Sequence, residues 1–160
     1  MKIALVTDTH FGARNDHDHF NNYFYEFYDN IFFPYLKEHN IDTCIHLGDV
    51  MDRRKFVSYK TAKDFREKFC ETFVTNDINV HMIVGNHDTY FKNTNDVNSL
   101  DELIGSRYEN IKIYRETETV DFDIPICFIP WINSTNEKQT VEHINNCLLY
   151  TSPSPRDSRK

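Results

Sequence analysis

Residues 78–88 read INVHMIVGNHD, and the fold turns on how that stretch is parsed. Ile78 to Val84 is a short apolar run rich in β-branched types, which predicts a strand buried in a core. Gly85-Asn86-His87-Asp88 then sets an amide, an imidazole and a carboxylate side by side where that strand must end. Two earlier stretches repeat the pattern. KIALVT (2–7) leads into Asp8-Thr9-His10, and TCIHL (43–47) leads into Gly48-Asp49-Val50-Met51-Asp52. Three core strands, each finishing on a polar cluster, are therefore expected.

The segments between these strands have a different period. Phe20, Phe24, Phe27, Ile31 and Tyr35 recur at steps of three and four, which predicts an amphipathic helix with that row as its apolar face. Pro34, lacking an N–H and clashing with the preceding turn, should kink or end it. Ala62, Phe65, Phe69 and Phe73 show the same spacing, with Lys63, Asp64, Glu67 and Lys68 on the other faces. The order β-α-β-α-β gives an α/β class, with a parallel or mixed sheet as core and helices packed on its faces. Ligands gather beyond the carboxyl ends of such strands, where the three clusters lie.

Further along, 96–104 predicts a short helix, and NIKIY (110–114), TVDF (119–122) and IPICFI (124–129) predict a strand-rich flank. A helical pattern through Val141, Ile144 and Leu148 covers 136–149. We read 1–149 as one domain. Residues 150–160 are small, polar and proline-bearing, and read as a disordered tail or as foreign sequence, since CLLYTSPSPRD (147–157) resembles translated sequencing-adapter read-through.

Composition narrows the class of function. With 39% hydrophobic residues, thirteen Phe and nine Tyr in 160 residues, the chain can bury a core of its own. No apolar run reaches membrane-spanning length and no signal peptide is evident, so a cytoplasmic protein is expected, in a bacterial host's cytoplasm if phage-encoded. Cys44, Cys70, Cys127 and Cys147 form no CxxC pair and read as buried thiols. A net charge of −7 argues against a broad basic nucleic-acid face, but not against a nuclease whose bound metals carry the positive charge.

The clusters combine carboxylate, imidazole and amide oxygen, a donor set suited to Mn²⁺, Fe²⁺ or Zn²⁺ more than to Mg²⁺ or Ca²⁺. In an extended Asp-x-His segment both side chains point the same way, so Asp8 and His10 can grip one ion, and Asp49 can bridge to a second. The glycines before Asp49 and Asn86 would allow the turns that lift these groups off the strands. The other histidines carry less. His17 and His19 flank Asp18 in what reads as an exposed loop, His39 sits near a helix end, His46 and His81 fall inside strands, and His143 reads as a surface residue.

In this order, DxH, GDxxD and GNHD resemble the opening signature of the calcineurin-like metallophosphoesterases, over residues 1 to about 146. DTHFG, GDVMDRRK, HMIVGNHDTYFKN, TVDF and FIPW look like one branch, the nuclease subunit of SbcCD-type double-strand-break repair complexes in its phage form. That resemblance implies the N-terminal part of a four-layer αββα fold and a metal-dependent DNA endo/exonuclease of recombination and repair. It implies two divalent ions, Mn²⁺ first, with Asp8 and His10 on one, Asp49 bridging and Asn86 on the other. His87 would meet the scissile phosphate as general acid or charge stabiliser, and Asp52 would hold its imidazole. An SbcC-like ATPase partner is implied too, and a homodimer is compatible with it.

Two departures stand out. Arg53 lies where related phosphatases place a phosphate-binding arginine, but the glycine that follows it there is absent, leaving phosphate contact and surface charge both open. The family's later histidine motifs, including a Gly-His turn, are also missing, which leaves both ions short of ligands and predicts a truncated domain of weak metal affinity. A small-substrate phosphatase or phosphodiesterase and a non-catalytic remnant of the fold are the competing readings.

Overall fold

The structure is a computed structural model that describes residues 1–151. Its centre is a four-stranded parallel sheet in the order β1 (Ala4–Val6), β2 (Thr43–His46), β3 (Asn79–Ile83) and β4 (Ile111–Tyr114). Ala4 pairs with Cys44, Cys44 with Val80 and Val80 with Ile111. The three expected strands are present. The NIKIY segment joins them as a fourth parallel strand rather than lying in a separate flank, because the chain from β3 crosses over through a short helix before it returns.

Alternation along the strands divides the core in two. One face presents Cys44, Val80, Met82 and Val84 to Tyr25, Tyr28, Phe33, Leu36, Phe65, Phe69 and Phe73. Those aromatics come from α2 (Asp18–Phe27), a π-helical turn (Tyr28–Phe32) and α3 (Phe33–Glu38), and from α4 (Tyr59–Asp64), a second π-helical turn (Phe65–Cys70) and α5 (Glu71–Thr75). A short turn, α1 (Ala13–Asp16), precedes them. The other face presents Ile45 and Tyr114 to Phe128, Val120 and Ile126 of an antiparallel hairpin, β5 (Glu118–Asp121) and β6 (Pro125–Phe128). Helix α6 (Ser99–Leu103) lies before β4, and α7 (Glu137–Thr151) lies over the hairpin, with His143 hydrogen-bonded to Thr119 and Thr140 to Thr117. Helices, sheet, hairpin and helix make the αββα layering that the resemblance implied. The expected helix is extended to Thr151, and the rest of the supposed tail, 152–160, lies outside the described residues.

One expectation about the first helical segment fails. Its row Phe20, Phe24, Phe27, Ile31 and Tyr35 is exposed, while Asn21, Tyr25, Tyr28, Phe33 and Leu36 are buried. The two aromatic stripes have the same period and are offset by one residue, so periodicity could not choose between them. Pro34 ends nothing: it sits in the first turn of α3, after the π-helical turn. A wider turn can relieve the contact with a preceding carbonyl that a proline makes inside a regular α-helix. His19 and Asp18 likewise belong to α2 rather than to a loop, and Asp18 pairs with Lys60.

Candidate metal centre

The loops after β1 and β2 continue the parallel pairing beyond the strands. Asp8 N donates to Gly48 O, His10 N to Asp49 O, Phe11 N to Val50 O and Asp52 N to Phe11 O. Each loop therefore holds the other in place. Asp8, His10 and Asp49 all have left-handed backbone, with φ of 53°, 42° and 55°. For non-glycine residues this costs about 1–3 kcal/mol each and persists only where the surroundings impose it. The extended Asp-x-His geometry expected from the sequence is thus replaced by two strained turns, which nonetheless bring the side chains together.

Glycines set the spacing of the loops after β2 and β3. Gly48, at φ +94°, makes the sharp turn expected of it. Gly85 is needed for proximity instead: a Cβ there would lie 2.2 Å from Asp49 N and 2.3 Å from its Oδ1. The same contact lets His87 N donate to Asp49 Oδ1 at 2.8 Å. Asp88, fully buried, fastens the loops from behind by accepting from Met51 N and Gly85 N at 2.9 Å each. Burial raises its pKa against the pull of those N–H groups.

His46 ties the two halves together. It accepts from Gly48 N through Nδ1 at 3.2 Å, so its proton sits on Nε2, facing Thr9 Oγ1 at 3.0 Å. Desolvation lowers its pKa to about 3, and it remains a neutral brace. His81 is a core residue as well, hydrogen-bonded to the Tyr114 hydroxyl.

Ligand atoms of Asp8, His10 and Asp49 all lie within 4.8 Å of one another. Asp8 is kept below the ordinary carboxylate range chiefly by the Thr7 hydroxyl, with His10 adding to the effect. The Asn86 amide lies 3.0 and 3.2 Å from the two Asp49 oxygens, to which its N–H can donate. Turned over, the same amide would offer its oxygen to a cation shared with Asp49. His10 Nδ1 is buried without a partner, 3.8 Å from Asp52 Oδ1. The donor set and this orphaned nitrogen fit divalent metal.

His87 and Asp52 meet, though not through the expected group. Nδ1 of His87 is 2.6 Å from the main-chain oxygen of Asp52. A carbonyl only accepts, so Nδ1 carries the proton and Nε2 is left for chemistry. The Asp52 carboxylate turns instead toward His10, whose ring packs edge-on against His87 at 4.9 Å. Arg53 is held by Asp16 and by Asn15 Oδ1 at 3.0 Å. Burial disfavours the Asp16 charge, but donors from Thr61, Arg53 and Ser58 outweigh it and lower its pKa. Asp16 was not legible from sequence as part of this region, since nothing in its neighbourhood marks it.

The matching sequence model is that of calcineurin-like phosphoesterases, and it covers residues 1–149. The chain belongs to the calcineurin-like phosphoesterase family. It is also 35% identical over 145 residues to exonuclease subunit 1 of Enterobacteria phage T4, an alignment covering 90% of this chain and 42% of that protein. The chain thus spans less than half the length of that relative. FIPW, which marked the nuclease branch, puts Trp131 beside the site, with its N–H on Val84 O and its carbonyl accepting from Asn95. Asn95 and Asn133 form a buried amide pair that fixes this loop, and sequence reading had passed over both.

A second group brings Cys127, His143 and Cys147 ligand atoms within 4.8 Å. Their positions, twenty residues apart on a strand and a helix, hid this from the sequence. Cys147 opens the CLLYTSPSPRD string, so no function is assigned to the group. Cys44 and Cys70 are buried thiols as expected, and desolvation pushes Cys44 up to about 12. No helix among the described residues is long and apolar enough to cross a membrane.

Proposed function

We propose that this chain is a metal-dependent phosphodiesterase acting on DNA, the nuclease part of a recombination and repair complex with an ATPase partner of the SbcC type. The observation that carries the chemistry is the convergence of Asp8 and His10 from the end of β1 with Asp49 from the end of β2, with the Asn86 amide from the β3 loop beside the Asp49 carboxylate. The likeness to a phage exonuclease subunit supports DNA as the substrate.

Asp8 and His10 would hold one divalent ion, Asn86 another, and Asp49 both. Mn²⁺ suits the mixed nitrogen and oxygen donors best, with Fe²⁺, Zn²⁺ and Mg²⁺ as competitors. When bound, such ions supply Lewis acidity toward phosphoryl oxygens and a water acidified toward neutral pH. With its Nδ1–H fixed on the Asp52 carbonyl, His87 turns Nε2 outward, and in the doubly protonated imidazolium form Nε2–H would give its proton to the departing oxygen, leaving the neutral ring. Asp52 positions the His87 imidazole through its carbonyl, while its carboxylate stands 3.8 Å from His10 Nδ1.

The small-substrate alternative drew on Arg53 as a phosphate ligand. Its guanidinium is committed to Asp16, and this weakens that reading. Purified protein with Mn²⁺ should cleave labelled double-stranded DNA, and Asp49→Ala or EDTA should abolish cleavage. Turnover of a small chromogenic phosphodiester with no action on DNA would favour the alternative, and no turnover of either substrate would favour the non-catalytic remnant.

A further inference from the structure

Beside the candidate centre, two loops expose rings and cations together. Tyr90 and Phe91 follow His87 by three and four residues and are 40% and 48% exposed, with ring centroids 4.7 Å apart in an edge-on pair. Phe56, on the loop after Asp52, is 58% exposed. Large aromatic surfaces are seldom left in water without a use when they cluster.

Cations flank these rings. Lys55 Nζ lies 4.9 Å above the Tyr90 ring, and Arg54 Nη1 donates to Thr89 Oγ1 at 3.1 Å, which in turn donates to Asn86 O. Segments 53–56 (RRKF) and 89–93 (TYFKN) contain no acid and four cations, of which Arg53 is paired with Asp16, in a chain of net charge −7. The rings stand on a fixed base: Tyr90 N donates to Val97 O, Ser99 N donates to Asp88 O, and Thr89 bridges to Asn98. These loops are also the ones that carry His87 and Asp52, so their register to the site is set by the same contacts.

We propose that Tyr90 and Phe91, with Arg54, Lys55 and Phe56, form a stacking platform for unpaired bases next to the phosphate at the metal centre. Flat rings accept any base through its π face, and neighbouring cations meet the phosphates. Three or four residues of chain reach at most about 10–14 Å, so the platform serves the nucleotides nearest the cleaved bond. An apolar protein partner would use the rings but would have no call for the local cations on an acidic molecule. This inference rests on the phosphodiesterase reading for its substrate, but its test does not need catalysis.

The test is fluorescence anisotropy of the 160-residue chain with a labelled single strand of about 12 nucleotides, a length within the usual site sizes, in EDTA at low salt. The same strand with its bases removed keeps every phosphate. The platform requires binding to the base-bearing strand at least about tenfold tighter than to the abasic one, since stacking on a ring contributes on that order per base. Tyr90→Ala/Phe91→Ala should lose the same factor, Tyr90→Trp/Phe91→Trp should keep it, and Lys55→Glu should weaken both strands and flatten the salt dependence. Equal affinity for the two strands, no binding of either, or an unaffected alanine pair overturns the proposal. Mn²⁺-dependent turnover of a small phosphodiester, lost in Asp49→Ala, reads the phosphodiesterase separately, so either claim can fail while the other stands.

Discussion

At the scale of single residues, the site depends on backbone positions that its side-chain chemistry does not reveal. Gly85 is the clearest case, because its missing Cβ is the space occupied by Asp49 N and Oδ1. Gly85→Ala should therefore displace the Asp49 carboxylate, weakening Mn²⁺ binding at least about tenfold and costing about 1–3 kcal/mol of stability as an overpacking change. Calorimetric titration with denaturant unfolding would read both effects. Asp88 illustrates a different dependence. Asp88→Asn turns an amide N–H toward one of the two backbone donors it now accepts from, and should cost about 1–3 kcal/mol. Asp8, His10, Asp49, Asn86 and His87 were legible as a group because polar clusters after apolar runs are unusual. The left-handed φ values of Asp8, His10 and Asp49, the role of the Asp52 carbonyl and the link from Asp16 to Arg53 were not, since each arises from contacts between loops distant in sequence.

At the scale of elements, the helical segment 18–38 shows what a period can and cannot tell. Its aromatics fill two stripes, and only packing against Phe65, Phe69 and Phe73 decides which is buried. Tyr28→Ala should cost about 3–5 kcal/mol as a core truncation, whereas Phe27→Ala, at a 41% exposed position, should cost less than about 1 kcal/mol. Urea unfolding of the two variants would expose a reversed assignment. The second segment, with one stripe only, was read correctly from Ala62, Phe65, Phe69 and Phe73. Strand β2 carries a pH dependence through His46. Its folded pKa of about 3 lies below the ordinary value near 6.5. The unfolded chain thus takes up a proton first, and stability present above pH 6.5 falls as pH drops toward 3, by about 1.4 kcal/mol per unit for one site. His81, lowered mainly by burial and then by Lys112, acts in the same direction. Thermal unfolding between pH 7 and 5 should show this slope, and His46→Gln should flatten it; an unchanged slope would mean that His46 is not the group responsible.

At the scale of the whole molecule, layered α/β architecture and a site at the strand ends followed from alternating periods and from where the polar clusters fell. What sequence could not supply was the zippering of the β1 and β2 loops, or the way the hairpin packs on the sheet's second face. Those are long-range pairings with no local signature. The central claim is that Asp8, His10, Asp49 and Asn86 form one divalent-metal centre. Isothermal titration of Mn²⁺ into the wild-type chain and into Asp49→Ala tests it most directly. Saturable binding by the wild type that Asp49→Ala abolishes is the expected result, and equal binding by the two, or none by the wild type, would contradict it.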